Sequence, residues 1–312
     1  MAAGKAAFAV PVSTPGPKRH PLAGEARWAW LLLLPALLII GLFSLLPTLG
    51  SFAISFTSWD LLGPPRWIGL ANYTALLADP LFYKVVLNTL EFVALYVIID
   101  IVCALGLALA LNQQLRGIGL FRTAYFLPVV TSMVAVSIVW EWIYDPRYGA
   151  LNVILGWCHL PAIHWLSDPH WALPSLVIVS VWKSLGYNVV LFLAGLQAIP
   201  TEYHEAAAVD GATGWLRFFR ITLPLLGPTL LLVGILSTIR AFQTFDAVYM
   251  LTHGGPRRAT TVVVYWLFQN AFTYFKLGKA SALAYLLFTV LLFLTWLQWT
   301  LRKRWIHQEQ VS

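Results

Sequence analysis

His204-Glu205 opens the HExxH pattern, in which two histidines on one helix face hold zinc beside a glutamate base. Position 208 is alanine, so the second ligand is missing and the pattern fails. Gly278-Lys279 has the form of the end of a phosphate-binding loop. Ala280, however, stands where a Ser or Thr would reach magnesium, and Thr273 stands where the first glycine belongs. This chain is therefore not expected to bind ATP itself. His159, His164, Asp168 and His170 crowd one connection at irregular spacing, which reads as a solvated loop rather than a metal site. Cys103 and Cys158 are the only cysteines and make no disulfide framework. No catalytic or metal constellation is expected.

What remains is a set of polar groups inside apolar runs. Glu91, Asp100, Lys183 and Arg240 lie within such runs, with Glu141 and Asp246 nearer their ends. A charge at the centre of a membrane helix costs about 2.5–3.5 kcal/mol on insertion scales, so each should face other helices or a wet cavity. Two uses stay open: a buried pair that fixes helix packing, or a path for a polar solute. Ser180, Lys183, Ser184 and Asn188 fall on one run, and Ser237, Arg240, Gln243, Thr244 and Asp246 on or beside the next. If these two runs pack together, their donors and acceptors could line one path for a hydroxyl-rich ligand. Trp182 or Trp140 could stack on a sugar ring.

The elements that would position these groups are membrane helices. Of the 312 residues, 59% are hydrophobic and 11% charged, and the mean hydropathy is +0.75. Soluble domains average about 25% charged residues. The solvent of this chain is largely lipid. Its net charge of +7 does not point to nucleic acid, because the basic residues cluster at the ends of apolar runs and form no aromatic-interleaved groove. Six runs reach the length of a span, about 20 residues: 28–54, 85–111, 120–144, 171–199, 224–245 and 280–301. The first is too long for a signal-peptide core of about 7–15 residues and reads as an uncleaved helix behind a tail, residues 1–27.

Lys5, Lys18, Arg19, Arg27, Arg116, Arg122, Arg217, Arg220, Arg302, Lys303 and Arg304 would lie inside with both termini. Arg66, Lys84, Arg147, Arg257, Arg258, Lys276 and Lys279 would lie outside. Within the last outer connection, the apolar stretch 262–275 is short for a span and reads as a re-entrant or surface helix.

One polar block interrupts the membrane pattern: EYHEAAAVDGATGWLRFFRITLPLL, residues 202–226. Thr201 is a good N-cap, and Glu202 and Glu205 put carboxylates near the positive end of a new helix. Ala206, Ala207 and Ala208 are strong helix formers whose small side chains let another surface approach. Gly211 can end the helix because it tolerates positive φ. Trp215, Leu216, Phe218 and Phe219 alternate with Arg217 and Arg220, which suits a helix at the lipid surface. From physics alone this is either a surface loop or a rigid lever presented to a soluble partner.

The residues Glu205-Ala206-Ala207, then Asp210-Gly211, then Ile221-x-Leu223-Pro224, resemble the cytoplasmic signature of permease subunits of binding-protein-dependent ABC importers. The stretches LLLLPALLIIGLFSLLPTLGSFAISFTSWDLLGPPRWIGLANYTALLADPLFYKVVLNTLEF, AFQTFDAVYMLTHGGP and YFKLGKASALAYLLF are similar to the carbohydrate-uptake branch, which includes maltose and glycerol-3-phosphate permeases. The resemblance implies an all-α type I importer permease in the bacterial inner membrane, spanning 28–306 with a core at 84–302, a coupling segment at 201–223 and a C-terminal tail at 307–312. It implies a second, similar permease, two ATPases that carry ATP and Mg, an extracytoplasmic binding protein, and a sugar or polyol as solute. The coupling residues would be Glu205, Ala206, Ala207, Asp210, Gly211, Ile221, Leu223 and Pro224. A glycerol phosphate or other polar solute is the alternative within this class. The rival class is an ion-coupled carrier with Glu91 and Asp100 as coupling groups, which leaves the polar block unexplained.

Overall fold

The computed structural model describes residues 23–113 and 117–305. Lys5, Lys18, Arg19, Arg116 and the tail from 307 on lie outside the described residues. The chain forms two units, Met1–Ser51 and Phe52–Ser312. The first begins with α1 (Ala23–Ile40), a π turn at Gly41–Leu45 and then α2 (Leu46–Ser55), which runs on into the second.

Past the end of α2 the second unit has a two-residue antiparallel ribbon, β1 (Thr57–Ser58) and β2 (Arg66–Trp67), the one sheet among the described residues. Then follow α3 (Ala71–Ala78), α4 (Pro80–Leu111), α5 (Ile118–Val130), α6 (Met133–Ile143), α7 (Ala150–Trp157) and α8 (Ala172–Gln197). The polar block forms α9 (Thr201–Val209), α10 (Gly214–Arg217), a π turn at Phe218–Thr222 and α11 (Leu223–Leu225). The chain ends with α12 (Gly227–Phe242), α13 (Asp246–Leu251), α14 (Val263–Phe268), a third π turn at Gln269–Thr273 and α15 (Leu277–Trp305).

Among the described residues, 5 helical segments are long and apolar enough to cross a membrane: Trp28–Ser55, Pro80–Leu111, Ala172–Gln197, Gly227–Leu251 and Leu277–Thr300. The expected span at 120–144 is not straight. It is α5 and α6, bent by 105° at Thr131 and Ser132, both of which adopt extended ψ near 140°. Pro128 contributes to the break, since it has no N–H to donate within the last turn of α5. The expected span at 224–245 is also interrupted, because Gln243, Thr244 and Phe245 separate α12 from α13. Two of the three π turns end two residues before a proline, Pro47 and Pro224. A proline clashes with the carbonyl four residues back, and a widened turn accommodates it.

Buried residues on α4 recur at Val85, Thr89, Phe92, Tyr96, Asp100, Ala104, Ala108 and Leu111, a stripe with the 3–4-residue period of one helix face. That stripe packs on α8 and α12, and α8 is buried along most of its length. A Cβ on Gly186 would collide with the Tyr125 carbonyl, so glycine is what lets the α8 and α5 backbones touch. The stretch 262–275 is short, as expected; its first part is buried in the bundle, whereas Phe272, Tyr274 and Phe275 at its end are exposed. Val263, Tyr265, Trp266, Asn270 and Ala271 are buried, and α14 packs on α4 and α15.

Candidate functional site

A cavity of about 260 Å³ opens where the two interrupted spans face each other. Ser180, Lys183 and Ser184 reach it from α8, and Arg240, Gln243, Thr244, Phe245 and Asp246 from the break between α12 and α13. Met133, the first residue after the 105° bend, completes one wall, and Phe92 and Tyr96 on α4 another. Irregular backbone is tolerated at membrane depth where it lines a cavity or is buried in protein. The break between α12 and α13 obeys that rule, and at the first break Met133 reaches the cavity while Ser132 is exposed. A second groove of about 430 Å³, along α5 between Arg122 and Val130, is almost wholly apolar and lacks the convergent polar groups of a solute site.

Lys183 is held by the first break. Its Nζ donates to the carbonyls of Thr131 at 2.7 Å and Pro128 at 3.2 Å, which are end carbonyls of α5. An ammonium is well matched to the negative end of a helix. Arg240 sits over the Tyr187 ring, its guanidinium carbon 4.1 Å from the centroid.

Asp100 is fully buried and ties three helices together. Its carboxylate accepts from Ser237 Oγ on α12 at 2.7 Å, from Ser184 Oγ on α8 at 3.4 Å, and from Asn188 Nδ2 on α8. Asn188 Nδ2 also donates to Ser237 Oγ at 3.0 Å, and Tyr96 OH donates to Ser184 Oγ at 2.7 Å. The network therefore lies behind the cavity wall and reaches it through Ser184 and Tyr96.

The structure sorts the sequence candidates. Ser180, Lys183, Ser184, Arg240, Gln243, Thr244 and Asp246 line the cavity together. Asn188 and Ser237 do not; they are buried partners of Asp100. Trp182 points elsewhere, 41% exposed and edge-on to Trp140 at 5.7 Å. Glu91, expected to face the bundle or a wet cavity, is exposed on α4. Phe92, Tyr96, Met133 and Phe245 escaped the sequence reading, because an apolar or aromatic residue in a membrane helix carries no signal of its own. Among the described residues, no cluster of three or more His, Cys, Asp or Glu could hold a metal.

At the other end of α12, α9 forms a short helix. Its N-cap is Pro200 rather than Thr201, and no side chain caps it; proline's fixed φ, −59° here, already sets the chain entering the helix. Its C-terminus closes as a Schellman motif: Ala212 N–H bonds Ala207 O at 2.9 Å and Gly211 N–H bonds Ala208 O at 3.1 Å, with Gly211 at φ 74°. Glu205, Ala206 and Asp210 are exposed, whereas Ala207 is buried and cannot form the outer surface expected of it. Tyr203 and Val209 are exposed beside Glu205 and Ala206, Val209 to 89%. Ile221 and Leu223 are half-buried and Pro224 exposed where the chain re-enters the bundle.

A helical membrane protein with a polar cavity between interrupted spans, and a short exposed helix hung from two of them, has the parts of a transport subunit. Residues 103–307 match the family described as binding-protein-dependent transport system inner membrane component, and the chain belongs to that family. It is similar to a probable ABC transporter permease protein, YesP, of Bacillus subtilis (strain 168), with 37% identity over 272 residues, 86% of this chain and 87% of that one. It is also similar to the trehalose/maltose transport system permease protein MalF of Thermococcus litoralis, with 37% identity over 275 residues, 87% of this chain and 92% of that one. A solved bacterial ABC transporter involved in alginate import shares the fold, with a TM-score of 0.79 over 90% of this chain and 96% of that one at 24% identity. This chain is therefore a transmembrane permease subunit of an ABC importer.

Proposed function

We propose that the cavity is the solute path and that the solute is a sugar or related polyol. The observation that carries this reading is the lining itself. Ser180, Ser184, Gln243 and Thr244 offer hydroxyl and amide groups beside the rings of Phe92, Tyr96 and Phe245. Polyhydroxylated solutes need many neutral donors and acceptors and an apolar face to rest on. An anionic solute such as a glycerol phosphate would draw on Lys183 and Arg240, but both already have protein partners. The similarity to a trehalose/maltose permease supports a sugar as one candidate solute.

Around this subunit we place a second, similar permease, two ATPases that bind ATP and Mg, and an extracytoplasmic binding protein, in a bacterial inner membrane with both termini inside. Leu87, Glu91, Ala94, Ile98 and Val102 form one exposed stripe on α4. A carboxylate on a lipid-facing stripe is costly, so the sister permease or a wet path should cover it. On the cytoplasmic side α9 would dock in a cleft of the ATPase through Tyr203, Glu205, Ala206 and Val209. Asp210 and Gly211 would turn the chain, and Ile221, Leu223 and Pro224 would pass the push to α12.

The test is uptake of a panel of radiolabelled sugars and polyols by the reconstituted complex, with Gln243→Leu and Thr244→Val alongside. The wild type should take up at least one of them. Each variant should assemble normally and take it up at least tenfold less well, the scale of leaving polar groups unpaired against a polar ligand. Unchanged uptake in both variants would remove the cavity from the path.

A further inference from the structure

The loop after α13 carries two arginines in an unusual backbone. Arg257 and Arg258 have φ of 48° and 61°, and His253 and Gly254 just before them have 49° and 78°. Side chains other than glycine, asparagine and aspartate rarely adopt this region, and such residues persist only where the surroundings impose them. The surroundings here are specific. Lys84 Nζ on α4 donates to Arg257 O at 2.7 Å, and Asn88 Nδ2 donates to Arg258 O at 2.9 Å and Thr261 O at 3.0 Å. Within the loop, Thr260 Oγ1 donates to Gly255 O at 2.6 Å and Thr261 Oγ1 to Gly254 O at 2.9 Å.

The backbone is pinned inward while both arginine side chains are exposed. Lys84 and Lys276 are exposed on neighbouring elements, the starts of α4 and α15. Asp79 is the nearby acid, and its carboxylate is already engaged by Lys279 at 3.1 Å, the only ion pair among the described residues. Partial burial works against that carboxylate's charge, yet the Leu81 amide, Lys279 and Arg258 together hold it below the usual carboxylate range. The corner is therefore a rigid, net-positive surface. It is separated from the cavity only by α13, whose 6 residues run from Asp246 in the cavity wall to Leu251 at the loop. Six helical residues rise about 9 Å.

We propose that Arg257 and Arg258 form a preorganised docking corner for an acidic patch on the extracytoplasmic binding protein, placed beside the outer mouth of the solute cavity. This rests on the importer reading above. A lipid headgroup would need neither the fixed backbone nor this position over the cavity.

The experiment uses the whole complex in nanodiscs of neutral lipid and, in parallel, of anionic lipid, with association of the purified binding protein followed over a range of salt. Arg257→Asn/Arg258→Asn removes both charges, and asparagine tolerates the left-handed backbone. Interface-edge charges act mainly on association and its salt dependence. The association rate should fall about tenfold at low salt and lose most of its salt dependence. Dissociation should change less than about twofold, basal ATP hydrolysis should stay the same, and lysine at both positions should restore the rate. In the unmodified complex, the binding protein should protect Arg257 and Arg258 from phenylglyoxal, read by mass spectrometry. An unchanged association rate, absence of protection, or an effect confined to anionic lipid would overturn the proposal. A wild-type complex that binds no binding protein at all would overturn the importer reading, and this proposal with it.

Discussion

Asp100 is the most constrained residue of the bundle. A carboxylate without solvent exposure survives because three side chains donate to it. Removing it takes the acceptor from Ser237 Oγ and from one N–H of Asn188, whereas Ser184 Oγ keeps the Ser180 carbonyl at 3.0 Å. A buried donor left unpaired costs about 1–3 kcal/mol, with relaxation reducing the sum. Asp100→Ala should therefore destabilise the subunit by about 2–4 kcal/mol, seen as a lower melting temperature in detergent, whereas Asp100→Asn should lose less. Equal melting of Asp100→Ala and wild type would mean that the network contributes nothing to the fold. The sequence shows that Asp100, Lys183 and Arg240 need partners, because charge inside an apolar run always does. It does not show which partners. The donors come from helices 84 to 137 residues away in sequence, and only packing brings them together. For the same reason Asn188 and Ser237 look like solute ligands in sequence but are consumed by Asp100 in the structure. Glu91 differs in the opposite sense: it is exposed on α4, so a cover for its stripe would have to come from another molecule.

The six apolar runs are legible at the level of elements because length and hydropathy are local properties, and so is the interruption at 201–223. The breaks are not. Thr131 and Ser132 sit among Val129, Val130, Met133 and Val134, so averaged hydropathy runs straight through a 105° bend. Pro128 is the available clue, and its consequence depends on Lys183 being present to satisfy the carbonyls that the break exposes. Gly211 is legible to the level of its backbone angle, since a glycine after a run of alanines calls for a left-handed cap and φ is 74°. A Cβ there meets nothing within 4 Å, so a substitution is penalised through φ alone. Gly211→Val should cost about 1–2 kcal/mol at this cap and depress uptake, whereas Gly211→Asn should retain most of it. If valine and asparagine behave alike in vesicle uptake, the cap geometry is irrelevant to coupling.

On the scale of the whole molecule the two ends of the span Gly227–Leu251 carry different surfaces. One end presents the short helix α9, with Glu205 and the apolar Tyr203 and Val209 exposed. The other presents Arg257 and Arg258 on a pinned loop. Between them lies the cavity at two breaks. A push on α9 would reach the break at Gln243 along α12, past Ser237 and Arg240, and would reach Ser184 along α8. If α9 is the proposed lever, the direct test is to blunt it without touching the bundle. Glu205→Ala combined with Val209→Asp alters only exposed side chains. The measurement is recovery of the ATPase with the purified complex, together with solute uptake in vesicles. The variant should insert and pair with a sister permease as the wild type does, while uptake falls at least tenfold and the ATPase is either lost or hydrolyses ATP without transport, the scale of losing a packed anchor at an interface. Normal ATPase recovery with normal uptake would contradict the proposed lever.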